Sequence, residues 1–237
     1  MAVVFVTGAS RGIGHEVVRQ CVARGDQVAA AARSERSVES LGREFGDHVI
    51  PLRCDVRDDA SIEAARQQVE QHTDRIDLLV NSAGLYSLHA DHWDPSLTTL
   101  DTLTRDELNT VFDVNASGSM LVIKAMLPLL RRSERPRILN LTSLMGSVSA
   151  RTSPGDYAYA ASKAALNIMT RSFAAEFRDE GIIAVAITPG WVRTDMGGSA
   201  AALAPEDSVR GLLATADRLT LGQSGTFIDY AGVVQPW

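Results

Sequence analysis

Seven short runs of β-branched and apolar residues recur along this chain of 237 residues, and their rhythm constrains the fold more than any single motif does. They span 3–7 (VVFVT), 27–32 (QVAAAA), 48–54 (HVIPLRC), 76–81 (IDLLVN), 137–142 (RILNLT), 182–188 (IIAVAIT) and 225–230 (GTFIDY). Between them, apolar residues fall at helical spacing, as in Ile13, Val17, Val18 and Val22, or Leu166, Met169, Phe173 and Phe177. Strands that read as nearly unbroken apolar runs are buried on both faces, and an intervening helix is the crossover that parallel pairing needs. The rhythm predicts an α/β fold with a parallel sheet of seven strands, covered by helices on both sides.

No composition shift, linker, repeat or low-complexity tract divides the sequence, so residues 1–237 read as one domain with a substantial core. Charged residues make up 22% and the formal net charge is -6, with arginines scattered rather than striped, which argues against nucleic acid as a partner. The longest apolar runs are too short to span a bilayer, and the N-terminus has no basic, apolar and small-residue succession of a leader. No membrane partner and a cytoplasmic location are therefore expected. Cys21 and Cys54 lack CxxC spacing or a histidine cluster and read as inert buried thiols. Three irregular stretches, 85–104, 146–156 and 191–205, each follow the carboxyl end of a strand. Open α/β sheets bind ligands along that edge, so these loops are the expected walls of a site.

The segment VVFVTGASRGIGHEVV reads as strand, glycine-rich turn and helix, with Gly8, Gly12 and Gly14 in a G-x-x-x-G-x-G spacing. Glycines there allow a tight turn and close approach to a pyrophosphate, whose charge the following helix N-terminus stabilises. A dinucleotide with a free ribose 2′-hydroxyl usually meets Asp or Glu at the end of the second strand. This chain has Ala31, Ala32 and Arg33 instead. Arg33 suits a 2′-phosphate, and Arg11 inside the loop adds a second cation, so NADP(H) is expected over NAD(H).

DYAYAASKAAL, residues 156–166, holds two tyrosines and a lysine. At about 100° per residue, Tyr159 and Lys163 share a helix face, whereas Tyr157 lies about 120° from Lys163. Only Tyr159 can work with the lysine, whose ammonium is expected to lower the phenol's pKa for proton transfer. By spacing alone, an exposed Tyr and Lys stacked on a helix remains an equal reading.

Taken together, TGASRGIG (7–14), CDV (54–56), NSAG (81–84), VNASG (114–118), Ser143 in NLTSLMGS, Tyr159-x-x-x-Lys163 and TPGWVRTDM (188–196) resemble the short-chain dehydrogenase/reductase family. The match runs in order along nearly the whole chain. It implies a Rossmann-type, doubly wound, three-layer α/β/α sheet, a nicotinamide cofactor, and hydride transfer between the nicotinamide and a carbonyl or alcohol substrate. It makes Tyr159 the general acid/base, has Ser143 hold the carbonyl oxygen, and has Lys163 tune Tyr159 and bind the nicotinamide ribose. Asn115 would hold a water that relays protons. The cofactor-binding set it implies comprises Gly8, Ser10, Arg11, Gly12, Ile13, Gly14, Arg33, Asp55, Val56, Asn81, Ala83, Gly84, Tyr159, Lys163, Pro189, Gly190, Val192 and Thr194.

Two departures stand out: Ser82 where the family commonly has a second Asn, and fifteen residues between Ser143 and Tyr159, lengthened by RTSPGDYAY. That segment, PGWVRTDMGG and the ending SGTFIDYAGVVQPW are most similar to the subgroup of C-factor and the sniffer-type carbonyl reductases, which admits a signalling role as an alternative. An epimerase or dehydratase using the same Tyr and Lys would need a longer C-terminal substrate region. Family resemblance and the small-residue surface of Ala160, Ala161, Ala164 and Ala165 imply a homodimer or homotetramer. HADHWD (89–94) contains two histidines and two aspartates without a second ligand pair, so no metal is expected. Tyr86, Trp93 and Met145 follow strand ends and are candidate pocket walls.

Overall fold

The structure is a computed structural model that describes residues 1–89 and 92–237. Its seven strands are β1 (Val3–Thr7), β2 (Gln27–Ala32), β3 (Val49–Arg53), β4 (Leu78–Asn81), β5 (Arg137–Leu141), β6 (Ile183–Thr188) and β7 (Phe227–Asp229). All lie within the expected runs, trimmed by a residue or two where the chain turns out of the ladder. They form one sheet in the order β3-β2-β1-β4-β5-β6-β7, with every pairing parallel.

Alternation along each strand explains the three layers. Val4 and Val6 of β1, Val28 and Ala30 of β2, and Val185 and Ile187 of β6 point to one face. There they pack with Val17, Val18 and Cys21 of α1 (Gly12–Ala23), Leu41 of α2 (Glu35–Phe45), and Val209, Leu212 and Leu213 of α7 (Pro205–Arg218). Phe5, Ala29, Leu79 and Ala184 point to the other face. Their partners are Ile62 and Val69 of α3 (Asp59–Glu70), Val122 and Met126 of α5 (Gly118–Leu130), and Phe173 of α6 (Tyr157–Glu176). Neither face of the sheet is left to water, so the strands carry no polar stripe.

α4 (Arg105–Phe112) continues into α5 through a π-helical segment, Asp113–Ser117. The extra residue in that turn rotates Asn115 inward to full burial. Burial pushes both thiols, Cys21 and Cys54, up to about 12, which keeps them protonated and inert as expected.

Candidate active site

The strand order reverses direction between β1 and β4, and a crevice opens there beyond their carboxyl ends. Thr7, the last residue of β1, holds the two edges together: its Oγ1 accepts from the Ser82 and Ala83 amides at 3.0 and 3.1 Å. Gly8 sits at φ 66°, and a Cβ there would stand 2.8 Å from the Ala83 Cα. At Gly14 a Cβ would approach the Gly8 carbonyl oxygen to 2.3 Å. Only glycine lets α1 start this close to the end of β1.

The first turn of α1 has neither a side-chain cap on Arg11 nor an acidic residue. Its orphan amides therefore face the crevice without an internal anion, the arrangement a phosphate group completes. Gly8, Ser10, Arg11, Gly12 and Ile13 line one end of a cleft of ≈ 450 Å³, and Ala83, Gly84, Tyr159, Lys163, Pro189 and Thr194 line the rest with the segment 85–89. Arg33 is exposed at the end of β2 and makes no ion pair among the described residues; Arg11 reaches only the exposed Asp195, at 3.4 Å. Arg11 is thus available to a polyanion within the cleft and Arg33 beyond its lining, and the glycine-built helix start at this end fits a dinucleotide phosphate.

The other end of the cleft is built on α6. Lys163 Nζ lies 5.6 Å from the centroid of the Tyr159 ring, as the i, i+4 spacing requires, while Tyr157 starts the helix exposed to solvent. Burial pushes the Tyr159 phenol up to about 12; the nearby Ser143 side chain pulls it down, and the Asp156 carboxylate adds to the rise. Burial also brings the Lys163 ammonium down to about 8. This corrects the expected lowering of the phenol by the lysine. The ammonium lies over the ring and donates to the Leu141 carbonyl at 2.8 Å, so desolvation governs both groups.

Ser143 caps a short 3₁₀ turn, Leu144–Gly146, accepting from the Met145 amide at 3.2 Å, and so stands beside the phenol. The Asn115 side chain is engaged by the protein itself. Its Nδ2 donates to the Leu85 carbonyl at 2.8 Å and the Ser162 hydroxyl at 2.9 Å, and its Oδ1 accepts from the Leu85 amide at 2.8 Å. The side chain is a clamp on Leu85, the first residue of the wall stretch 85–104.

Other expected residues serve the frame. Asn81 is buried in the sheet, donating to Asn140 Oδ1 at 2.8 Å and the Ser119 carbonyl at 3.1 Å. The Asp55 carboxylate closes its own turn onto the Arg57 amide, and Val56 packs where Gly118 leaves room for it. Val192 is buried and bridges to Leu203, and Gly190, at φ 83°, lets the chain leave β6 beneath Tyr230. None of these five, nor Arg33, is among the residues lining the cleft.

Of the three expected walls, 85–104 contributes Leu85 to His89 and 191–205 contributes Thr194 to Met196, whereas 146–156 contributes nothing to the lining. That loop meets the site from behind, through Asp156, which binds Tyr86. Trp93 and Trp191 pack edge to face at 5.9 Å, joining the two wall loops, and Met145 stays outside the cleft. Asp91 lies outside the described residues; His89 pairs with the buried Glu107 at 3.4 Å, and the described residues hold no cluster of three His, Cys, Asp or Glu. Asp156, Glu107 and Ser162 are the residues that motif reading missed. An Asp before a helix signals a cap, but nothing in its type says that its carboxylate turns away to a loop.

A family model described as short chain dehydrogenase matches residues 2–203. The chain belongs to the short chain dehydrogenase family. Within this oxidoreductase family it is 43% identical over 165 residues to the C-signal of Myxococcus xanthus, covering 70% of this chain and 95% of that one. Among solved structures, the carbonyl reductase Sniffer of D. melanogaster superposes with a TM-score of 0.90 at 27% identity, covering 100% of both chains. An NADPH-bound carbonyl reductase from chicken fatty liver gives a TM-score of 0.89 at 30% identity, covering 100% of this chain and 99% of that one. The sheet is accordingly the Rossmann-like sheet of these short-chain dehydrogenases, of the C-factor and sniffer subgroup. No helix among the described residues is long and apolar enough to cross a membrane.

Proposed function

We propose that the chain is an NADP(H)-dependent carbonyl reductase that runs in reverse as an alcohol dehydrogenase. The observation that carries this reading is one continuous cleft, with an uncapped, glycine-built helix N-terminus at one end and Tyr159 beside Lys163 at the other. The nicotinamide, when bound, supplies or accepts the hydride.

The protein's own residues do the rest. The Ser143 hydroxyl donates to the substrate carbonyl oxygen and fixes it beside the phenol. Tyr159, protonated at neutral pH because burial holds it at about 12, gives its proton to that oxygen as alkoxide charge develops. Lys163, held at about 8, can pass a proton back towards the phenol in the neutral range. Asn115 acts through the wall: by clamping both backbone groups of Leu85 it fixes the start of the segment that lines the cleft. Arg33 and Arg11 would take the phosphates, and the preference for NADP(H) rests on Arg33 standing where an acidic residue would bind a free ribose.

The decisive experiment follows NADPH loss over a panel of carbonyl compounds. Tyr159→Phe should reduce turnover by at least about 100-fold while leaving NADPH affinity within about twofold of wild type. Retained turnover in that variant would overturn the assignment. Similarity to C-signal favours a second reading, a dinucleotide-binding signalling protein on the same scaffold. A wild-type protein that binds NADPH yet reduces no member of the panel would favour that reading.

A further inference from the structure

Asp156 precedes the catalytic helix and lies in the left-handed region, at φ 54° and ψ 31°, the only non-glycine with positive φ among the described residues. It stands where a helix cap belongs, yet its carboxylate accepts no amide of the first turn. Every polar group of the residue is nonetheless used. Its amide donates to the Thr98 carbonyl at 2.8 Å, and its carbonyl accepts from the Ala160 amide at 2.8 Å. Oδ1 accepts from the Tyr86 hydroxyl and from Thr98 Oγ1, the latter at 2.9 Å, and Oδ2 receives Arg151 at 3.5 Å.

The Tyr86 ring in turn packs edge to face on Tyr159, with centroids 5.4 Å apart, and lines the cleft. Asp156 thereby ties three separate pieces together: the wall at 86–98, the loop carrying Arg151, and the first turn of the helix that carries the phenol. A cap-forming Asp in the ordinary extended conformation would stabilise the helix alone. The left-handed backbone spends that capping opportunity on joining helix to wall.

Resting on the carbonyl reductase reading, we propose that Asp156 is a positioning residue for the proton-transfer tyrosine: through Tyr86 it sets the orientation of the Tyr159 ring against the substrate wall, and it supplies a fixed negative charge beside the phenol. The groups around that charge are Tyr86 and the buried Glu107, the latter paired with His89, on the wall side, Arg151 on its own loop, and Tyr157 and Tyr159 on α6, with Lys163 one turn further along, over the Tyr159 ring. Arg151 is its ion-pair partner. The carboxylate's charge opposes phenolate formation, in line with its contribution to the raised phenol.

Asp156→Asn tests this directly, because asparagine tolerates the left-handed backbone and keeps the side chain's shape. The variant should keep its melting temperature within a few degrees and its NADPH affinity within about twofold, while kcat falls about tenfold with little change in KM. Its alkaline limb for carbonyl reduction should move to lower pH, since removing the charge eases ionisation of the phenol. Tyr86→Phe, which loses only the hydroxyl, should lower kcat as well, and adding it to Asp156→Asn should lower kcat no further, because both act through one contact. Tyrosinate absorbance titration, corrected with Tyr159→Phe, reads the same shift without turnover or cofactor. An unmoved phenol titration in Asp156→Asn would overturn the proposal, as would independent losses in the double variant. A wild type that reduces no carbonyl, but whose phenol titration still moves in Asp156→Asn, would fault the reductase reading and leave the tie to Tyr159 standing.

Discussion

At the scale of the residue, Lys163 is a cation that the fold holds out of water. It is buried at 5% exposure with the Leu141 carbonyl as its hydrogen-bond partner, and burial takes its pKa from 10.5 to about 8. A base whose folded pKa is depressed binds fewer protons folded than unfolded between those two values, so stability rises with pH across that window. Below about 8 the full penalty applies, on the order of 3 kcal/mol. Lys163→Met should therefore stabilise the cofactor-free protein by about 1–2 kcal/mol at pH 7 while abolishing turnover. Urea denaturation at pH 7 and pH 10 would check it: the difference between variant and wild type should shrink at the higher pH. A variant less stable than wild type at both values would show that the lysine's hydrogen bond outweighs its burial. The pairing of Tyr159 with Lys163 was legible because helical spacing alone selects it from two tyrosines. The direction of the phenol's shift was not, because desolvation depends on how loops from three strands close over the helix.

At the scale of the element, the π segment Asp113–Ser117 does what a regular helix through VFDVNASG would not. Its wide turn aims Asn115 at the backbone of Leu85 and at Ser162 on α6, so one amide joins three elements. Motif resemblance picked out Asn115, but a sequence carries no mark of a single π turn, and the residue's clamping contacts come from segments 30 and 47 positions away. Asn115→Ala would leave the Leu85 amide and carbonyl without their partner inside the protein. Loss of buried hydrogen bonds of this kind costs about 2–4 kcal/mol, and the wall at 85–89 should loosen with it. Both a lower urea midpoint and faster amide exchange at Leu85 are expected. An unchanged midpoint with reduced turnover would instead favour the relay role over the clamp. By contrast, the glycine turn was fully legible. Its tight contacts are between main-chain atoms of β1, α1 and the loop after β4, and backbone approaches as close as those at Gly8 and Gly14 exclude any other residue.

At the scale of the whole molecule, the parallel sheet brings every loop that follows a strand to one edge, so residues as distant as Gly8, Ser143 and Thr194 need no further device to meet there. The alternating apolar runs predicted that edge, and the strand boundaries held within two residues because burial on both faces leaves little ambiguity in where a strand lies. Loop walls were legible as positions only; Trp93 against Trp191 and Asp156 against Tyr86 depend on closure that no local pattern encodes. The molecule's formal charge of -6 makes the proposed phosphate end the place where electrostatics must act locally, since the protein as a whole repels a polyanion. Arg33 is the exposed cation at the end of β2 with no ion-pair partner among the described residues, so selectivity for a 2′-phosphate should concentrate in it. A ligand that binds only the folded state at 100 times its Kd stabilises by about 2.7 kcal/mol, which for a chain of this size raises the melting temperature by about 5–10 °C. NADPH should produce such a shift at concentrations where NADH produces little. Arg33→Ala should remove most of the difference by lowering the NADPH shift without raising that of NADH, and an equal response to the two cofactors in the wild type would refute the assignment of Arg33.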